Sequence, residues 1–108
     1  MGKVTLTGFL ICRSLDEADR AAHLLPEHIR LTRAELGCLV FEVIRSMSDP
    51  LRFAVREVFA DRAAFESHQT RTAGSHWGRA TQGIGRDFVL TEKDRETQIL
   101  RNLPEAGG

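Results

Sequence analysis

The amino-acid sequence predicts an α+β chain of ferredoxin-like type. In this βαββαβ succession four strands form one antiparallel sheet and two helices cover one of its faces. Three observations carry that expectation. Strand-like and helix-like segments follow one another in this order. Only a few residues separate the second and third strand segments, so these two pair as a hairpin. Two right-handed crossovers then put both helices on the same side. The 108 residues suit one domain. We expect it over residues 1–93, with a charged tail over 94–108 in which Ile99, Leu100 and Leu103 dock a turn of helix.

Each element has its own signal. Residues 3–13 mix β-branched and apolar types and read as a strand that is apolar on both faces. Ser14 to Glu17 has the form of a capping box, with Ser14 accepting from the backbone and Glu17 reaching back. Leu15, Ala18, Ala22, Leu25, Ile29 and Leu36 recur at helical spacing. They predict a helix over 15–36 that kinks or restarts at Pro26 and stops at Gly37. Residues 38–47 and 52–60 are the hairpin strands, joined by a turn at Ser48-Asp49-Pro50-Leu51. Asp61 is an N-cap for a helix over 62–72. A short helix over 75–82 follows, Gly83-Ile84-Gly85 breaks it, and residues 86–92 are the fourth strand.

Composition narrows the function classes. Fifteen Lys and Arg balance fifteen Asp and Glu, so no net charge draws the chain to nucleic acid or to an anionic membrane. No apolar run reaches the roughly 18–20 residues that span a bilayer. The first residues lack the apolar core of a secretory signal. We expect a cytoplasmic chain with no nucleic-acid and no membrane partner. Cys12 and Cys38 lack a metal-type spacing and are expected as buried thiols.

The hairpin register decides which side chains share a face. If Ser48 and Leu51 flank the turn, Glu42 faces Glu57, among Val40, Ile44, Phe53, Val55 and Phe59. A slip by one residue sets Glu42 opposite Arg56 as a salt bridge instead. Both faces are largely apolar. Helices hide one of them, and a second copy laid sheet to sheet hides the other, which predicts a homodimer.

Several segments carry a family resemblance. Gly37 to Val43 and Asp49 to Phe53 belong to it, as does His76-Trp77. The most specific part is Glu57-Val58-Phe59-Ala60-Asp61 followed by Ala64-Phe65-Glu66-Ser67-His68. Together they resemble the antibiotic-biosynthesis monooxygenase family over residues 3–92. The resemblance implies a homodimeric α+β barrel with a pocket between sheet and helices. It also implies oxidation of a small aromatic or quinol-type molecule by dioxygen, with no cofactor. The chain has no Tyr, and its single Asn is Asn102, so it lacks the Asn, Trp and Tyr set of the polyketide oxygenases. The haem-degrading branch carries Trp where this chain has His68. The quinol-monooxygenase-like group fits best. A non-catalytic binding module, a haem degrader and an isomerase-type member are the alternatives.

Candidate site residues follow from chemistry. His68 is a base for a phenolic proton near neutral pH. Glu57 is a second proton acceptor, and Glu42 shares its face in the first register. His76 lies eight residues beyond His68 and is able to reach the same pocket if the helix continues. Trp77, Phe65 and Phe59 offer aromatic surface to a planar substrate. No metal site is expected, because two histidines eight apart lack helical ligand spacing and a third ligand. His23 and His28 read as surface or internally satisfied residues. Arg79 and Arg86 read as surface ion pairs, or as holders of an anionic group.

Overall fold

The computed structural model describes residues 2–103. In chain order the elements are β1 (Val4–Ile11), α1 (Leu15–Arg33), β2 (Cys38–Arg45), β3 (Arg52–Phe59), α2 (Arg62–Ala73), α3 (His76–Ala80), β4 (Gly85–Glu92) and β5 (Arg95–Arg101). All strand pairs are antiparallel, in the order β2-β3-β1-β4-β5. The ferredoxin-like succession is present, with one strand added at its edge.

That fifth strand corrects the expected four-stranded sheet and the helical turn expected around Ile99 and Leu100. Lys93 (φ 51°) and Asp94 (φ 64°) form a two-residue turn with both residues in the left-handed region. This geometry matches the twist of a hairpin, and Glu92 pairs with Arg95 across it. Sequences usually signal such a turn with Asn-Gly or Asp-Gly, and Lys-Asp does not. Residues 104–108 of the expected tail lie outside the described residues.

The β2–β3 register is the second of the two weighed above. Ser46 N–H donates to Arg52 O at 2.9 Å, the Ser46 hydroxyl accepts from Ser48 and Asp49, and Asp49 Oδ1 accepts from the Leu51 amide. These bonds close an odd-numbered loop, and Glu42 falls opposite Arg56 while Phe41 falls opposite Glu57. Shifting by one residue turns every β2 side chain over. Phe41 and Val43 therefore sit under the helices, and Glu42 and Ile44 face outward. The exposed Glu42–Arg56 pair, at 3.9 Å, is worth under about 1 kcal/mol.

Helix α1 starts as the capping box requires, with Ser14 Oγ accepting from Glu17 N at 3.1 Å. Glu17 reaches back one residue further than expected, to the Arg13 amide and guanidinium. The helix runs through Pro26 and ends at Arg33, so Leu36 is exposed instead of completing the buried stripe. Arg33 donates to Phe41 O and ties the end of the helix to β2.

The core lies between the helices and the inner face of the sheet, where Leu10, Ala18, Leu25, Phe41, Phe53 and Ile84 are buried. Each fully buried large side chain contributes about 1.5–3 kcal/mol. Cys12 and Cys38 are free thiols, Cys12 buried and Cys38 half-buried. Burial pushes both thiol pKa values up. The outer face of the sheet carries Ile44, Leu100 and Phe9, which are 64%, 56% and 39% exposed. Among the described residues no helix is long and apolar enough to cross a membrane.

Candidate functional site

A cavity of about 140 Å³ lies between the helices and the inner face of the sheet. A cavity of about 150 Å³ accommodates a benzene ring. At one end it is lined by His28, Phe41, Glu57, His68 and Trp77, and at the other by Arg86, Phe88, Ile99 and Arg101.

Phe65 and His68 are the buried pair on α2, one turn apart. Asp61 caps this helix through the Ala64 amide at 2.8 Å and so fixes its rotation. His68 Nδ1 lies 2.9 Å from Glu35 Oε1. Arg71 Nε donates to the other Glu35 oxygen, and Arg71 Nη2 donates to Thr32 Oγ1 at 3.0 Å. Glu35 is thus held from one side and accepts the Nδ1 proton from the other. That fixes the tautomer and leaves Nε2 as the basic nitrogen, with the Thr72 hydroxyl 3.4 Å away. Burial lowers the His68 pKa, and Glu35 opposes the shift in part. The imidazole is neutral near neutral pH.

Glu57 projects from β3 beside it. Its Oε1 is 3.7 Å from His68 Nε2 and has no hydrogen-bond partner among the described residues. Burial, and secondarily the charge of Glu35, push the Glu57 pKa up to about 8. At neutral pH Glu57 carries its proton and His68 carries none on Nε2. Their approach is then a contact between two neutral groups, not an ion pair.

His28 corrects the expectation of a surface or satisfied histidine. It is buried and stacks on Trp77, with ring centroids 4.8 Å apart and planes 8° from parallel. Its ring meets Phe41 edge-on at 5.3 Å. Burial drives its pKa down to about 3, and Nδ1 has no hydrogen-bond partner among the described residues. Arg86 also departs from the surface ion pair weighed for it. It is buried and donates to the Thr81 and Ile84 carbonyls, each at 2.7 Å.

The structure brings together His68, Glu57 and Trp77 at this cavity. Phe59 and Phe65 pack on each other at 5.8 Å, and Phe59 lies 4.9 Å from the His68 ring. They support His68 from behind and do not line the cavity. His76 is exposed and faces a groove with His23 and Leu24 instead. Gly74 and the Ser75 cap restart the helix between His68 and His76, so the continuous-helix geometry does not hold. Glu42 is on the opposite face of the sheet. Sequence reasoning missed Glu35 and Arg71. Glu35 is 33 residues from His68, so no local spacing links them. Among the described residues no three His, Cys, Asp or Glu side chains cluster as metal ligands.

Residues 15–80 match the family profile described as antibiotic biosynthesis monooxygenase. Sequence comparison with curated proteins gave no match. Among solved structures, a protein from Deinococcus radiodurans assigned as an antibiotic biosynthesis monooxygenase superposes with a TM-score of 0.67 at 22% identity, covering 90% of this chain and 95% of its own. One from Nitrosomonas europaea with the same assignment gives 0.65 at 16% identity, covering 83% and 94%. SnoaB, a cofactor-independent oxygenase from Streptomyces nogalater, gives 0.66 at 12% identity, covering 84% and 92%. At these identities the likenesses establish a shared fold.

Proposed function

Because the chain belongs to the antibiotic biosynthesis monooxygenase family, we propose that its cavity oxidises a small quinol-type aromatic with dioxygen, using His68 as the base. The observation that carries this reading is a buried imidazole, oriented through Nδ1 by Glu35, whose Nε2 borders an aromatic-walled cavity and, among the described residues, has only the Thr72 hydroxyl within hydrogen-bond distance, at 3.4 Å. The ring lies against Trp77 and Phe41, and a hydroxyl meets Nε2. His68 takes the phenolic proton, and Glu35 stabilises the resulting imidazolium. The electron-rich anion reduces dioxygen directly. One oxygen atom enters the ring carbon as hydroxyl, the other leaves as water, and the substrate supplies all four electrons as quinol becomes hydroxyquinone. Neutral Glu57 donates a hydrogen bond to the reduced oxygen. His68 and Glu57 are both buried at the inner end of the cavity, which keeps bulk water from the anion.

The test is oxygen uptake by the metal-free protein with a panel of monocyclic quinols. We expect one dioxygen consumed per quinol, and a fall of about 10²–10⁴-fold in His68→Gln. Uptake no faster than in His68→Gln removes the oxygenase reading. Saturable quinol binding without product then favours a binding module on the same cavity.

Assembly belongs to the same proposal. A second copy covers the outer sheet face carrying Phe9, Ile44 and Leu100 and closes the barrel. Sedimentation at micromolar concentration is expected to give twice the mass of the chain. A stable single subunit rules this out.

A further inference from the structure

We infer that the cavity takes an aromatic acid, with its ring hydroxyl at His68 and its carboxylate held by Arg101 beside Arg86. The inference rests on the proposed reading of this cavity as the substrate site. Arg86 and Arg101 are direct partners across β4 and β5, and both line the cavity. Seven other arginines, among them Arg45, Arg56 and Arg71, have a carboxylate within ion-pairing distance. Among the described residues neither Arg86 nor Arg101 has one.

The two guanidiniums have different tasks. Arg86 is buried, and its terminal nitrogens are committed to Thr81 O, Ile84 O and Thr81 Oγ1. Burial and then Arg101 lower its pKa to about 10, so it stays charged at neutral pH. It is a fixed positive charge with three of the four N–H donors at its tips already committed. Arg101 is exposed at the rim and has no hydrogen-bond partner among the described residues, so its donors remain for a ligand. Two adjacent like charges repel, and a buried cation is costly until an anion compensates it. A carboxylate between them answers both needs, and Arg forks match carboxylates in a bidentate way.

The spacing admits one ring. Glu57 pairs with Leu6 of β1, and Arg86 pairs with Leu10 of the same strand. Four residues along and two strands across place their Cα atoms roughly 16 Å apart. The cavity of about 140 Å³ between these two ends has room for one ring. Trp77 and Phe88 supply its apolar walls.

Trp77 is the only Trp, so quenching of its fluorescence reports binding. The probes are gentisate, a quinol bearing one carboxylate, and gentisate methyl ester. Wild type is expected to bind the acid at least tenfold more tightly than the ester. Arg101→Gln is expected to erase that preference while still binding the ester, which also shows that the variant is folded. Added salt should weaken only the acid. Equal binding of acid and ester, binding of neither, or a preference that survives in Arg101→Gln overturns the inference. Arg101-dependent binding without oxygen uptake removes the oxygenase reading alone. Uptake with neutral quinols, without any preference for acids, removes this inference alone.

Discussion

Raising the pH from about 6.5 to 8 is expected to destabilise the protein by about 1.5–2 kcal/mol in all, with the slope falling off as the pH nears 8, and Glu57→Gln is expected to remove that loss. Glu57 has a pKa of about 8 in the folded chain against an ordinary 4.5. Its folded-state pKa is raised, so its contribution is fully present below pH 4.5 and is lost as the pH rises through 8. Over that interval the native state holds a proton that the unfolded chain has released. His28 acts in the opposite direction. Its pKa falls from 6.5 to about 3, so its contribution is present above 6.5 and is lost on acidification. The lowered pKa of His68 adds to the acid-side loss. Between pH 4.5 and 6.5 the Glu57 and His28 slopes largely cancel, and above 6.5 Glu57 acts alone. Denaturant unfolding at pH 5.5, 6.5 and 8 reads this directly. A wild-type protein equally stable at pH 6.5 and 8 would mean that Glu57 is ionised at neutrality.

That titration also decides the division of labour in the cavity. If Glu57 holds its proton at pH 7, it is no base there, and proton abstraction falls to His68. The residue chosen from the sequence as a second proton acceptor then serves as a hydrogen-bond donor. A carboxylate on a strand has an ordinary pKa until the helices bury it, and burial belongs to tertiary structure.

The backbone of the domain was legible because its signals are local. Ser14 and Asp61 mark helix starts by their own chemistry, and the structure uses both, whereas Gly37, expected to stop the first helix, instead turns the chain into β2 at φ 86° after the helix has ended at Arg33. β5 escaped because its turn is Lys-Asp, whose positive φ values nothing in composition announces. The β2–β3 register escaped because side-chain caps from Ser46 and Asp49 set the loop length, and two pairings one residue apart fit the apolar pattern equally well. The site was legible only in part. His68, Glu57 and Trp77 fall in or beside the segments that carry the resemblance. Glu35, Arg71 and His28 come from elsewhere in the chain and reach the site through folding alone. His28 in particular sits among charged helix residues, and its burial follows from the stacking of α3 on α1.

Gly8→Ala is expected to be the most damaging single-methyl change in the sheet, costing about 3–5 kcal/mol. Gly8 is at the centre of β1, opposite Val55 on one side and Phe88 on the other. Its φ is +146°, which L side chains rarely adopt. A Cβ placed there would overlap the Asp87 carbonyl oxygen and come within 2.9 Å of Phe88 Cα. Both obstacles are backbone, so no rotamer change relieves them, and the β1–β4 ladder must open. That ladder carries Arg86 and Phe88 into the cavity, so the lesion reaches the proposed substrate site as well as the fold. Gly74→Ala is the matched control. Gly74 has φ −90°, and an added Cβ would meet only the Arg71 carbonyl, at 3.8 Å. Reduced freedom of the unfolded chain should leave Gly74→Ala neutral or up to about 1 kcal/mol more stable. Denaturant unfolding of the two variants side by side makes the comparison. A Gly8→Ala protein as stable as Gly74→Ala would mean that β1 and β4 do not approach as closely as the register requires.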